Sequence, residues 1–389
     1  MSYGSSRLRI AILTHSTNPR GGVVHALALA DALAELGHRP VVHAPDPAGK
    51  GFFRRSVAAT RSVPASPAPG DVVAMVEARI EDYVRHFEDA ANRQYDVFHA
   101  QDGISGNALA TLKQRGLIQR YVRTVHHIDA FSHERLCELD RRSIVHADGL
   151  FVVSRFWQAQ LEAEMSRSST LVGNGVDTAR YSAAPASTDQ VLRARLGLRA
   201  GPILLSVGGV EQRKNTLGIL DAFRQVHAMH RSAQLVIAGG ASLLDHGLYR
   251  QQFKSRLRDA GLPADAVIET GPLMVDTDMP SLFRLADALL FPSLREGFGL
   301  AVLEAMASGV PAVVSHIAPF TEYLGPDDVA WCDPHHAGSI ADAALSALAE
   351  PLRSRLIANG ARVARHHDWS RTARAHIATY QDLREVHYA

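Results

Sequence analysis

Apolar and polar positions follow two different periods along this chain, and the switch between them recurs from one end to the other. Short runs rich in valine, isoleucine and leucine, such as "LRIAILTH" at 8–15, precede stretches whose apolar residues return every three or four positions, such as "GGVVHALALADALAELGH" at 21–38. The first pattern predicts a strand buried on both faces and the second an amphipathic helix lying on it. Gly37 stands where that helix should stop. "RPVVHAP" (39–45), "YDVFHAQ" (95–101), "YVRTVHHI" (121–128) and "ADGLFVVS" (147–154) read as further strands, in the rhythm of a parallel sheet with crossover helices. "RSVPASPAPG" (61–70) carries three prolines and reads as a loop, with a helix near 71–92 after it.

Periodicity fades over 178–190, as in a linker, and then restarts. "GPILLSVGGV", "AQLVIAGGA", "AVIETGPL", "DALLFPS" and "PAVVSH" read as strands. The helices between them include "NTLGILDAFRQVHAM", a segment near 248–260 and "DMPSLFRLA". The pattern predicts an α/β protein of two doubly wound domains, 1–180 and 181–365. A charged C-terminal helix, 366–389, is left free to return to the first domain. Two such domains facing each other bring the carboxyl ends of their strands to a shared cleft, where ligands of such sheets bind.

Length fits this division, since 389 residues exceed one ordinary core. The apolar fraction of 46% and charged fraction of 21% are ordinary for a globular chain. With 41 basic against 40 acidic residues, nothing favours nucleic acid as a partner. Cys137 and Cys332 form no metal or redox spacing, no pair among the twenty histidines has zinc spacing, and no metal is expected. A cytoplasmic setting is expected: the first strand begins too early for a signal segment, and no apolar run nears the ~20 residues of a membrane span. "KGFFRRS" (50–56) and "KQRGLIQRYVR" (113–123) mix basic and apolar residues as solvated faces do. Peripheral membrane contact has no support beyond them.

Chemistry concentrates in a few loops. In "PSLREGFGLAVLEAMASGVPAV" (292–313), Gly297 and Gly299 flank Phe298 at the start of a short helix, where free backbone N–H groups suit a phosphate or a sugar hydroxyl. Glu296 precedes the turn. Glu304 shares a helical stripe with Leu300, Leu303 and Ala307, so it should face inward and needs a partner. An internal arginine and a ligand's hydroxyls both remain open. In "SVGGVEQRKNTLGILDAF" (206–223), Gly208 and Gly209 open a loop that carries Arg213 and Lys214 to a helix start. That is an anion site or a solvated loop. Gly21 and Gly22 also lie between strand and helix, without the three-glycine dinucleotide fingerprint. His126 ends a strand beside His127 and Asp129, and Asp102 with Gly103 ends another.

Together these segments resemble the retaining glycosyltransferases of the GT-B class, family 4 group, over nearly the whole chain. Glu296 and Glu304, seven residues between them, are the most specific match. "VSRFWQAQL" (153–161), "NGVD" (174–177), "VGGVEQRKN" and "GPLMVDTDMPSLFRLADALLFPS" support it. The resemblance implies two facing Rossmann-like domains, the first binding acceptor and the second a nucleotide-diphosphate sugar. It implies no cofactor beyond that co-substrate, and a small-molecule, glycan or lipid-linked acceptor. By the same resemblance Glu296 contacts the donor sugar, Glu304 the ribose and Lys214 the pyrophosphate. Gly297, Phe298 and Gly299, with Leu300 beside them, offer backbone N–H groups, and Leu273 flanks the base. Gly21 and Gly22 close over the donor, His126 contacts its sugar, and Asp102 and Asp129 lie on the acceptor side. Two departures stand out. Gly209 occupies a position where the family commonly has arginine, so Arg213 is expected to supply that cation. "SHIAPFTEYLG" (315–325) keeps an acid, Glu322, but lacks the family's glycine-rich turn. A nucleotide-sugar epimerase of similar architecture and a non-catalytic nucleotide-sugar-binding protein are the competing readings.

Overall fold

The computed structural model describes residues 7–67, 70–128, 131–240, 247–273 and 276–385, which separate into two units. One comprises the chain up to Asn174 together with the segment from Trp369 onward, and the other is Gly175–Asp368. The first runs β1 (Arg9–Leu13), α1 (Gly21–Glu35), β2 (Arg39–Pro45), β3 (Ala59–Val63), α2 (Val72–Glu88), β4 (Val97–Ala100) and α3 (Gly103–Gln114). It continues with β5 (Val122–Val125), α4 (Glu134–Val145), β6 (Gly149–Val152), α5 (Arg155–Met165) and β7 (Thr170–Leu171). Its seven strands are all parallel in the order β3-β2-β1-β4-β5-β6-β7. Helices on the faces bury β1, β4 and β5 almost completely, which is why those strands read as unbroken apolar runs. α1 ends as its glycine predicts, with Gly37 at φ +90° just beyond it.

The second unit runs α6 (Ser187–Leu196), β8 (Ile203–Val207), α7 (Thr216–Met229), β9 (Gln234–Ala238), α8 (Gly247–Asp259), β10 (Val267–Gly271) and α9 (Asp278–Leu285). Then come β11 (Ala288–Phe291), α10 (Leu300–Ala307), β12 (Ala312–Ser315), α11 (Phe320–Tyr323), β13 (Ala330–Cys332), α12 (Ala337–Leu348) and α13 (Leu352–His366). Six parallel strands lie in the order β10-β9-β8-β11-β12-β13. The last helix, α14 (Trp369–Glu385), belongs to the first unit and packs on α1. In each sheet the direction of winding reverses beside the first strand, between β1 and β4 and between β8 and β11. Ligands of doubly wound sheets bind outside the strand ends at that reversal.

Two expectations are corrected here. Residues 61–63 are not loop but the end of β3, which pairs with β2 from Val41 opposite Ala59 to Pro45 opposite Val63. The prolines begin only at Pro64, so the strand keeps its donors. As an edge strand it buries only Val63, which left no alternation to read. Residues 178–190 are not a bare linker either. The chain changes unit at Asn174, the Asp177 carboxylate caps Ala179 N and Arg180 N at 3.0 Å, and α6 begins at Ser187. Such side-chain-capped turns carry no periodicity.

Candidate active site

In the second unit, β8 ends at Val207 and the turn after it carries two cations to the carboxylate that follows β11. Lys214 Nζ donates to Glu296 Oε2 at 2.5 Å, Arg213 Nη1 to Oε1 at 2.8 Å and Gly297 N to Oε1 at 3.0 Å. Lys214 Nζ also lies 4.2 Å from the centre of the Phe291 ring, a cation–π contact. Burial by itself raises the Glu296 pKa, but Arg213 and then Lys214 outweigh it and hold the carboxyl well below its usual range. Burial lowers the Lys214 pKa despite the Glu296 charge. Arg213 also faces Glu211 at 3.9 Å, so two carboxylates balance two cations.

The glycines of this turn have steric reasons. A Cβ on Gly208 would sit 2.7 Å from Lys214 Cε, so the lysine stem occupies the space of a side chain. Gly209 has φ +76°, and a Cβ there would meet the Gly240 carbonyl oxygen at 2.8 Å. The position at which the resemblance calls for arginine therefore admits no side chain in this backbone, and Arg213 reaches Glu296 from four residues later.

Glu304 differs from its expectation. Leu303 is fully buried, whereas Leu300, Glu304 and Ala307 form the one half-exposed strip of α10, which β11, β12, α9 and α13 cover elsewhere. Glu304 thus lies beside the greasy face rather than within it. Burial pushes its pKa up to about 7, against the Tyr181 hydroxyl, which favours the carboxylate by hydrogen bonding, and the Arg180 charge. Arg180 itself donates to the Asp276 backbone carbonyl at 2.7 Å and pairs with the Asp276 carboxylate. Asp276 and Asp278 have an Asp-x-Asp spacing that the expectation of a metal-free site overlooked. Each is paired with an arginine, Asp276 with Arg180 and Asp278 with Arg195.

Of the other residues expected on the donor side, Gly297, Phe298 and Gly299 lie in the turn that leads into α10. The Gly297 N–H is taken by Glu296. Phe298 is buried and stacks on Tyr323 at 4.6 Å, and its carbonyl accepts from the Tyr323 hydroxyl at 3.0 Å. Gly299, the residue just before α10, has φ +99°, with the Phe320 ring 2.5 Å from where its Cβ would be. Phe320 and Tyr323, from the segment without a glycine-rich turn, form the floor under Phe298 and Gly299. Leu273 is buried next to residues outside the described set.

In the first unit, Gly22 and His126 come together. A Cβ on Gly22 would lie 3.8 Å from His126 Cδ2, whereas Gly21 faces open space. His126 Nε2 is 3.0 Å from Gln101 Oε1, and the His25 ring meets the His126 ring edge-on at 4.7 Å. Burial first, then His25, His127, Arg123 and His376, push the His126 pKa far below its ordinary value, so the ring is neutral. Asp102 caps α3, accepting from Ser105 N at 2.8 Å, and lies 3.6 Å from His15 Nδ1. Burial raises its pKa, and His15 overcomes that. Asp129 falls outside the described residues. The sequence reading missed Gln101, His99, His25 and Tyr380. Polar residues in apolar strands and at i, i+4 on the last helix were the available signal. Among the described residues, no group of three or more His, Cys, Asp or Glu is arranged to hold a metal ion.

Residues 190–363 match the family Glycosyl transferases group 1, and residues 19–180 match Glycosyltransferase Family 4. The chain belongs to the group 1 glycosyltransferases. This glycosyltransferase is 26% identical to the lipopolysaccharide core biosynthesis mannosyltransferase LpsB of Rhizobium meliloti (strain 1021), over 81% of its chain and 87% of the relative. It is also 26% identical to a D-inositol 3-phosphate glycosyltransferase of Pseudarthrobacter chlorophenolicus, over 97% and 96% of the two chains. Its fold matches sucrose-phosphate synthase from Thermosynechococcus elongatus with a TM-score of 0.78 at 21% identity, covering 98% of this chain and 100% of that one. It matches Anabaena HepE in complex with UDP-glucose with a TM-score of 0.74 at 18% identity, covering 97% and 100%. The glycosyltransferase is thus a GT-B protein of two parallel-sheet domains that uses nucleotide sugars. No helix among its described residues is long and apolar enough to cross a membrane.

Proposed function

We propose that the enzyme moves a sugar from a nucleotide-diphosphate donor to an acceptor hydroxyl with retention of configuration, on a small-molecule, glycan or lipid-linked acceptor. The observation that carries this reading is Glu296 held by both Lys214 and Arg213 at the sheet's switch point, just before the short helix α10 that carries the half-buried Glu304. Glu296 is the counterion of both cations. The same two cations suit a donor pyrophosphate, and the carboxylate beside them can accept hydrogen bonds from the sugar. Breaking the glycosidic C–O bond then develops negative charge on the leaving phosphate, where Lys214 and Arg213 stand ready without reorganisation. One such preorganised donor contributes on the order of 3 kcal/mol to the barrier. The leaving phosphate takes the acceptor's proton on the face it departs from, which gives retention. Glu304 receives ribose hydroxyls, neutral His126 a hydroxyl of the sugar, and Leu273 flanks the base. None of these roles calls for a metal or a further cofactor. The relatives named for mannose transfer and for D-inositol 3-phosphate glycosylation favour transfer over epimerisation or simple binding.

The test begins with thermal shifts against nucleoside diphosphates, since a ligand that binds only the folded state raises the melting temperature. The donor so chosen is then incubated with and without a panel of hydroxyl acceptors, and the product anomer is read by proton coupling. Transfer that needs the acceptor and keeps the donor's anomeric configuration is expected. Interconversion of donor alone, binding without transfer across the panel, or an inverted product overturns the reading.

A further inference from the structure

His126 is not held by packing alone. Gln101, 2% exposed, follows β4, and its backbone N–H donates to the Leu13 carbonyl at 2.9 Å. Its carboxamide oxygen lies 3.0 Å from His126 Nε2. Its carboxamide nitrogen lies 3.2 Å and 3.4 Å from the two ring nitrogens of His99. A point nearly equidistant from both nitrogens is blocked in the ring plane by the ring's own Cε1–H, so the amide nitrogen rests over the ring face. An N–H is attracted to the negative face of a π-system, and a carbonyl oxygen is repelled by it. His99 therefore sets which way the amide points.

His99 is itself fully buried and engaged at both nitrogens, with the Tyr380 hydroxyl 2.7 Å from Nδ1 and the Thr124 hydroxyl 2.8 Å from Nε2. A neutral imidazole has one donor and one acceptor, and two hydroxyls satisfy both. The chain of contacts thus runs from α14 through β4 to the end of β5. It delivers an oxygen, which can only accept, to His126 Nε2. Among the described residues His126 Nδ1 has no hydrogen-bond partner, and it is not among the polar atoms sealed from solvent.

The geometry points to Gln101 as a positioning residue that holds His126 as its Nε2–H tautomer and leaves Nδ1 bare, to accept a hydrogen bond from a hydroxyl of the donor sugar. This deepens the transferase reading and rests on it for the identity of the hydroxyl. The tautomer does not depend on that reading. It follows that the C-terminal helix, through Tyr380 and His99, takes part in preparing the sugar contact.

Long-range proton–nitrogen correlation on the full-length protein, with ¹⁵N-labelled histidine and His126 assigned by comparison with His126→Asn, reads the ring directly. Nε2 should carry the hydrogen and Nδ1 should not, and the His126 ring N–H should exchange slowly with water. In Gln101→Leu that N–H signal should broaden into exchange. Turnover of the nucleotide-sugar should fall about tenfold, the scale of one positioned hydrogen bond, while nucleoside diphosphate affinity stays unchanged because His126 is assigned to the sugar alone. Hydrogen on Nδ1 in the wild-type protein, or an unaltered His126 signal in Gln101→Leu, overturns the inference. Equal loss of nucleotide affinity and turnover would mark Gln101 as structural only and overturns it as well. A protein that binds no nucleotide and transfers no sugar defeats the transferase reading instead, with the tautomer still measured.

Discussion

A carboxyl group titrating near neutrality changes its hydrogen-bonding capacity just where enzymes work, and Glu304 is such a group. Burial raises its pKa to about 7, while the Tyr181 hydroxyl and the Arg180 guanidinium, anchored by Asp276, pull it down. The charged form, present above that value, can accept from two ribose hydroxyls at once, and the protonated form cannot. Affinity for the intact nucleotide-sugar, whose diester pyrophosphate does not titrate in this range, should therefore rise from pH 6 to pH 8. The ionised share climbs from about a tenth to about nine-tenths, so the gain approaches about tenfold. Calorimetric titration across these pH values checks it. Glu304→Gln should bind weakly with a flat profile, and Tyr181→Phe should move the midpoint upward. A wild-type profile as flat as that of Glu304→Gln would detach Glu304 from the ribose.

The turn between β8 and α7 shows what an element permits. Restoring the family's arginine by Gly209→Arg puts a Cβ against the Gly240 carbonyl and a side chain at φ +76°. Backbone strain of this kind costs about 1–3 kcal/mol. The variant should unfold at lower urea concentration and gain no turnover, whereas Arg213→Ala should lose turnover together with some stability, since it leaves Glu296 to Lys214 alone. If Gly209→Arg is stable and faster, or Arg213→Ala is fully active, Arg213 does not replace the missing cation. The sequence exposed this site unevenly, and for physical reasons. The parallel strands were legible because burial on both faces makes them apolar, and the loops at their ends were legible from glycine pairs beside charges. β3 was hidden because an edge strand buries almost nothing. The side of α10 that carries Glu304 was misjudged because a helix covered nearly all round has no contrast between its faces. The pairing of Gln101 with Tyr380 was not legible because they meet through His99, a near neighbour of Gln101 on β4 that lies 281 residues from Tyr380.

Across the whole molecule the same strand-and-helix plan is built twice, with different polar groups inside. The first unit encloses His25, His43, His99 and His376, all fully buried, and burial lowers the pKa of His25 to about 4 and of His43 and His376 to about 3. In the unfolded chain these rings take up protons near 6.5, so as pH falls from there toward the folded values the unfolded state binds more protons and stability is lost. Each ring contributes about 1.4 kcal/mol per pH unit over that window. In the second unit Glu304 acts with the opposite sign. Its folded pKa is raised, so between about 7 and its ordinary 4.5 the folded state binds more protons and is favoured as pH falls. The first unit should therefore fail first in mild acid. Trp157 and Trp369 lie in it and Trp331 in the other, so the tryptophan fluorescence of Trp331→Phe reports the first unit alone. Its urea midpoint should fall steadily from pH 7 to pH 5. A midpoint that stays level over that range would mean that these histidines keep their neutral form at no cost to folding, or that the acid-sensitive step lies elsewhere.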